Sequence, residues 1–100
     1  MVATRERTYS DEEVAERLQR ENSSWSLEGG CIRRKIKTRN WGGTLGALTA
    51  IGHLAAAVRD DPDVTLAPDW LEVRLRRHGS LGFTERDMEL VRRIEDVIAH

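Results

Sequence analysis

The 100-residue chain has room for one ordinary domain with a single two-layer core, and not for two. With 39% apolar and 33% charged residues it has a globular composition rather than a disordered one. Basic and acidic side chains number 16 and 17, a formal net charge of -1, which excludes bulk attraction to nucleic acid or to an anionic membrane.

The single cysteine, Cys31, cannot close an internal disulfide, which fits a reducing compartment. The opening residues are mostly polar and charged, with no secretory pattern. The longest apolar run, residues 45–58, is interrupted by Gly46, Thr49, Gly52 and His53 and reads as too short to span a bilayer. These features predict a soluble cytoplasmic protein with no membrane partner.

Residues 1–9 lack periodicity and read as a flexible N-terminus, leaving residues 10–100 as the single domain. Ser10-Asp11-Glu12-Glu13 is a capping box, in which a hydroxyl serves an orphan amide and a Glu three residues on reaches back. The helix that follows carries Val14 and Leu18, with Ala15 beside them, and ends near Asn22-Ser23-Ser24. Trp25-Ser26-Leu27-Glu28 alternates, Gly29-Gly30 turns, and residues 31–38 alternate again with Ile32 and Ile36 on one face. That is a hairpin signature.

Asn40 can cap a second helix, whose positions Leu45, Leu48, Ile51, Ala55 and Val58 keep helical spacing until Pro62 stops it. Residues 64–66 read as a short strand and Ala67-Pro68-Asp69 as a turn. The next stretch alternates strictly, with Leu71, Val73 and Leu75 opposite Trp70, Glu72, Arg74, Arg76 and His78. After the turn at residues 79–82, Thr84 caps a last helix with Asp87 at the reciprocal position and a stripe of Leu90, Val91, Ile94, Val97 and Ile98. Strands with one apolar and one charged face need helices on one side only. The pattern therefore predicts an α+β two-layer sandwich, α-β-β-α-β-β-α, with a four-stranded antiparallel sheet.

This order and these spacings resemble the pterin-4a-carbinolamine dehydratase family over most of the chain. The family's signature is an acidic residue, three residues, His-His-Pro, an aromatic, a later His and a later Asp. The frame fits without a gap at Ala56, Asp60-Asp61-Pro62, Pro68, His78 and Asp87. Trp25 ahead of Leu27-Glu28-Gly29 matches the family's early Trp segment. Pro62, His78 and Asp87 are kept, whereas Ala56 stands for the acid, Asp60 and Asp61 for the paired imidazoles, and Pro68 for the aromatic.

In the family the histidines surround the pterin and move protons as water leaves. Imidazole, with a pKa of about 6.5, can do this near neutrality. A carboxyl near about 3.9 holds a proton at pH 7 only about one part in a thousand of the time, unless its site shifts it. Neighbouring carboxylates can raise one another's pKa, so a dehydratase with an altered acid-base set of Asp60, Asp61 and His78 stays open as the alternative. The first expectation is a non-catalytic member with a vestigial pocket at Trp25, Asp60, Asp61, Pro62, His78 and Asp87, and with no cofactor.

A narrower resemblance bears on what such a member would do. Trp41-Gly-Gly-Thr-Leu, Ala50-Ile-Gly-His-Leu-Ala-Ala-Ala and Asp61-Pro-Asp-Val look like the dehydratase-like proteins encoded beside α-carboxysome genes. That resemblance implies a Rubisco assembly factor or chaperone, associated with the carboxysome and carbon fixation. The family resemblance also implies a homodimer in which sheets join edge to edge.

Other side chains read more plainly. His53 has no second His at ligand spacing, and Asp60, Asp61, Asp63 and Asp69 lack a calcium-loop pattern, so no metal is expected. Cys31 reads as a packing residue. Thr84-Glu85-Arg86-Asp87 is explained as a helix cap. Arg33, Lys35, Lys37, Arg74 and Arg76, with Trp70, fall on the helix-free sheet face and are the candidate surface for an acidic protein client. No stacking aromatics interleave with them, which argues against nucleic acid.

Overall fold

A computed structural model describes residues 7–79 and 82–98. The expected three helices and four-stranded antiparallel sheet are present. Helix α1 spans Asp11–Glu21, β2 Ser26–Glu28, β3 Cys31–Lys37 and α2 Trp41–Val58; β4 spans Asp63–Ala67, β5 Trp70–Arg76 and α3 Glu85–Ile98. The sheet runs in the order β2-β3-β5-β4. Ile32, Ile36, Leu71, Val73 and Leu75 face the helices and join Val14, Leu18, Ile51, Leu90, Val91 and Ile94 in one core.

Local chemistry sets the helix starts. Ser10 Oγ accepts the Glu13 amide at 3.2 Å and Glu13 accepts the Ser10 amide at 3.0 Å, completing the capping box. Asn40 Oδ1 accepts the Gly43 amide at 2.8 Å. At α3 the reciprocal half of the box dominates, with Asp87 Oδ2 accepting the Thr84 amide at 2.8 Å.

Several expectations change. Thr8 and Tyr9, expected to fray, form strand β1 and pair antiparallel with β6, Phe83–Thr84, in a separate two-stranded sheet. Backbone pairing to a segment far along the chain holds them, a cause that local periodicity does not carry; residues 1–6 and 80–81 lie outside the described residues. On α2, Thr44 takes the buried position and Leu45 is 40% exposed, because the Thr44 hydroxyl reaches Thr38 Oγ1 at 2.5 Å and the Pro68 carbonyl at 3.3 Å. On α3, Val97 is exposed while Asp87 and Met88 are buried. Helix α2, at 18 residues with mean hydropathy 1.2, is by length and composition long and apolar enough to cross a membrane, more than the interrupted run suggested. In the fold it packs on the core through Ile51 and Ala55.

Two loops position the site. Helix α2 closes in a Schellman turn: Arg59 is left-handed at φ 58°, its amide bonds the Ala56 carbonyl at 3.2 Å, and the Asp60 amide bonds the Ala55 carbonyl at 3.0 Å. The 6→1 bond folds Asp60 under the helix end instead of out to water. Strand β5 stops at Arg76, so His78 leaves the sheet's charged face and sits in a loop, its amide on the Gly82 carbonyl at 2.9 Å. Gly82 has φ 84°, and a Cβ there would lie 2.8 Å from the Tyr9 carbonyl oxygen. Only glycine meets both conditions.

Candidate functional site

The two loops and the start of α3 bring Asp60, His78 and Asp87 together. His78 Nε2 lies 3.2 Å and 3.3 Å from the two Asp87 oxygens and 3.7 Å from Asp60 Oδ1. Asp60 and Asp87 are buried, 4% and 0% exposed, while the His78 side chain is 38% exposed. The imidazole thus has one edge on the carboxylates and one toward solvent.

Burial, followed by the hydrogen bond and the charge of Asp87, raises the Asp60 pKa from 3.8 to about 8. Arg86 opposes that rise, and Asp61 adds a smaller push in the same direction. Among the described residues, the buried Asp60 Oδ2 has no hydrogen-bond partner. A proton on this carboxyl, donated toward Asp87, is the state that burial favours. One atom from each of Asp60, His78 and Asp87 lies within 4.8 Å of the others, close enough to share a divalent cation. Binding an ion there would displace the proton that burial favours on Asp60, so proton and cation are alternative occupants of the cluster.

A cleft of about 490 Å³ opens beside it, lined by Arg59, Asp60, Asp61, Arg76, Arg77, His78 and Arg86. Asp61 is exposed on its wall and Pro62 is half-buried behind the turn. Trp25 is not brought there. Its indole is 2% exposed, and Nε1 donates to Glu95 Oε1 at 2.7 Å. The same oxygen accepts from Arg34 Nε at 2.7 Å. Arg34 was absent from the sequence reading although it falls in phase with Ile32 and Ile36, on the inward face of β3.

The basic sheet face has the expected residues and much less free charge. Arg33 lies directly opposite Arg74, and Glu72 accepts from both, at 3.3 Å and 2.9 Å. Arg76 pairs with Asp63 at 2.7 Å, and Lys35 stacks 4.2 Å from the Trp70 ring centroid. Lys37 is exposed. His53 is exposed on α2, and Cys31 is a half-buried free thiol.

Comparison with known proteins agrees with the frame. The chain matches the family described as pterin 4 alpha carbinolamine dehydratase over residues 7–97. It is 33% identical over 93 residues to a protein of Aquifex aeolicus named "Putative pterin-4-alpha-carbinolamine dehydratase", covering 92% of each chain. A protein of the same name from Chloroflexus aurantiacus is 29% identical, over 89% of this chain and 95% of the relative. The fold is shared with a Brucella melitensis crystal structure described as a transcriptional coactivator/pterin dehydratase, at TM-score 0.79 and 20% identity, covering 91% of this chain and 98% of the other. With a family match over residues 7–97 and a 33% identical relative covered nearly end to end, the chain belongs to the pterin 4 alpha carbinolamine dehydratase family.

Proposed function

We propose that the chain is a hydro-lyase that dehydrates a 4a-hydroxytetrahydropterin, with Asp60 in the proton-holding role that imidazole fills elsewhere in the family. The observation that carries this reading is the burial of Asp60 beside His78 and Asp87 at the cleft, where it keeps a proton to about pH 8. Dehydration breaks the C4a–O bond and the N5–H bond. The neutral Asp60 carboxyl gives its proton to the departing hydroxyl, which leaves as water. His78, with Nε2–H donated to Asp87, presents Nδ1 to take the proton from N5. The imidazolium then returns a proton to Asp60, whose Oδ1 is 3.7 Å from Nε2. Atoms balance, and the products are water and the quinonoid dihydropterin.

The test is stopped-flow dehydration of 4a-hydroxytetrahydrobiopterin by purified protein. Turnover well above the buffer rate is expected, with losses of about 10²-fold or more in both Asp60→Asn and His78→Ala. A wild-type rate equal to buffer would sink this reading.

A second reading, Rubisco assembly in an α-carboxysome setting, is favoured by one observation: Lys35, Lys37 and Trp70 remain outward on the helix-free face. Arg33 and Arg74 are engaged by Glu72, so the clean probe is Lys35→Glu with Lys37→Glu. On this reading, soluble Rubisco yield falls on co-expression with the double variant. Unchanged yield would remove the sheet face as the docking surface.

A further inference from the structure

The dehydration step uses Asp60 and His78, yet four of the seven residues lining the cleft are arginines, Arg59, Arg76, Arg77 and Arg86. A pterin ring is uncharged near neutrality and needs none of them. Two of them are paired outside the cleft: Arg76 is held by Asp63 and Arg77 by Asp11, and neither acid is a wall residue. Within the walls the acids are Asp61, which is exposed, and Asp60, which burial keeps protonated. Arg59 makes no ion pair among the described residues, and the left-handed turn that folds Asp60 inward also sets Arg59 at the rim. Arg86 is drawn to the same corner, with Nη1 donating to the Arg59 carbonyl at 3.1 Å. The cations thus line the same cleft as Asp60 and His78.

Resting on the dehydratase reading, we infer that the cleft selects a tetrahydropterin whose six-position side chain carries a phosphate, with the Arg59–Arg76–Arg77–Arg86 rim holding that anion. Guanidinium groups suit this task, because their forked donors match phosphate oxygens. Arg76 and Arg77 keep large exposed fractions, 71% and 46%, so each can reach a ligand without breaking into the core. The about 490 Å³ cleft is larger than a pterin ring alone requires and leaves room for the substituent.

The experiment compares the 4a-hydroxy forms of tetrahydroneopterin and tetrahydroneopterin triphosphate as substrates, and the corresponding dihydro compounds as ligands by equilibrium dialysis. The phosphorylated substrate is expected to have a kcat/KM at least about tenfold higher. That preference should shrink as salt rises, and should collapse toward one in Arg59→Gln with Arg76→Gln. Inorganic pyrophosphate should compete with the phosphorylated ligand for wild-type protein, an arm that needs no variant. Equal turnover of the two substrates would overturn the anion rim and leave the dehydratase reading standing. Absence of turnover with salt-sensitive, pyrophosphate-competed binding of the triphosphate would do the reverse. Neither turnover nor binding would overturn both.

Discussion

His78 and Asp87 fix each other across the site: Nε2 lies 3.2 Å from Asp87 Oδ2, the same oxygen that accepts the Thr84 amide at 2.8 Å. One carboxylate therefore both caps α3 and holds the His78 imidazole. The local sequence pattern displays the capping role, while the family frame alone pointed to Asp87 as a pocket position. Because the Asp87 charge helps hold the proton on Asp60, Asp87→Asn should keep an acceptor for the Thr84 amide yet lower the Asp60 midpoint. Asp87→Ala should also lose the cap, at a cost of about 0.5–2 kcal/mol by thermal or urea unfolding. An unchanged Asp60 titration in Asp87→Asn would separate the two groups.

Stability should carry the signature of Asp60. Its folded-state pKa of about 8 lies above the ordinary 3.8, so the folded state binds a proton that the unfolded chain releases. That contribution is fully present below about pH 4 and is lost as pH rises through about 8. Asp60→Asn should flatten the pH dependence of urea unfolding across that window and become the more stable form at alkaline pH. Parallel curves for the two proteins would contradict the assignment.

The loop that carries His78 depends on Gly82. With φ 84° and the Tyr9 carbonyl oxygen 2.8 Å from where a Cβ would sit, Gly82→Ala should cost about 1–3 kcal/mol. Because the Gly82 carbonyl holds the His78 amide, activity should fall further than the population of unfolded protein accounts for. Unfolding together with kcat measured well below Tm checks both halves.

Glu95 is a structural prediction independent of the chemistry. One of its oxygens accepts from both Trp25 and Arg34, and the Arg34–Glu95 pair is only 20% exposed on each side. Glu95→Ala should cost about 2–4 kcal/mol by taking the acceptor from the buried Trp25 Nε1 and the half-buried Arg34 Nε, and Glu95→Gln appreciably less. Equal losses would show that packing, not the shared acceptor, is what matters.

The fold was legible because its signals are local: the Ser10–Glu13 box, the Asn40 cap, the Gly29-Gly30 turn and the alternation of Leu71, Val73 and Leu75 each act within a few residues. The site was legible only as a frame. Asp60 and Asp61 read as twin carboxylates that could raise each other, yet the Schellman turn buries Asp60 and leaves Asp61 outside, and the group that chiefly perturbs Asp60 after burial is Asp87. Likewise the sheet-face charges were placed correctly, but the sequence could not tell that Glu72 would engage both Arg33 and Arg74. Tyr9, brought into a strand by Phe83, escaped for the same reason: its partner is far along the chain.

Proton transfer at this site requires that Asp60 hold a proton at neutral pH. Carbon-13 NMR titration of the Asp60 side-chain carboxyl, assigned by its loss in Asp60→Asn, reads that directly. A midpoint near 8 is expected. A midpoint near 4, with the carboxyl ionised throughout the neutral range, would contradict it.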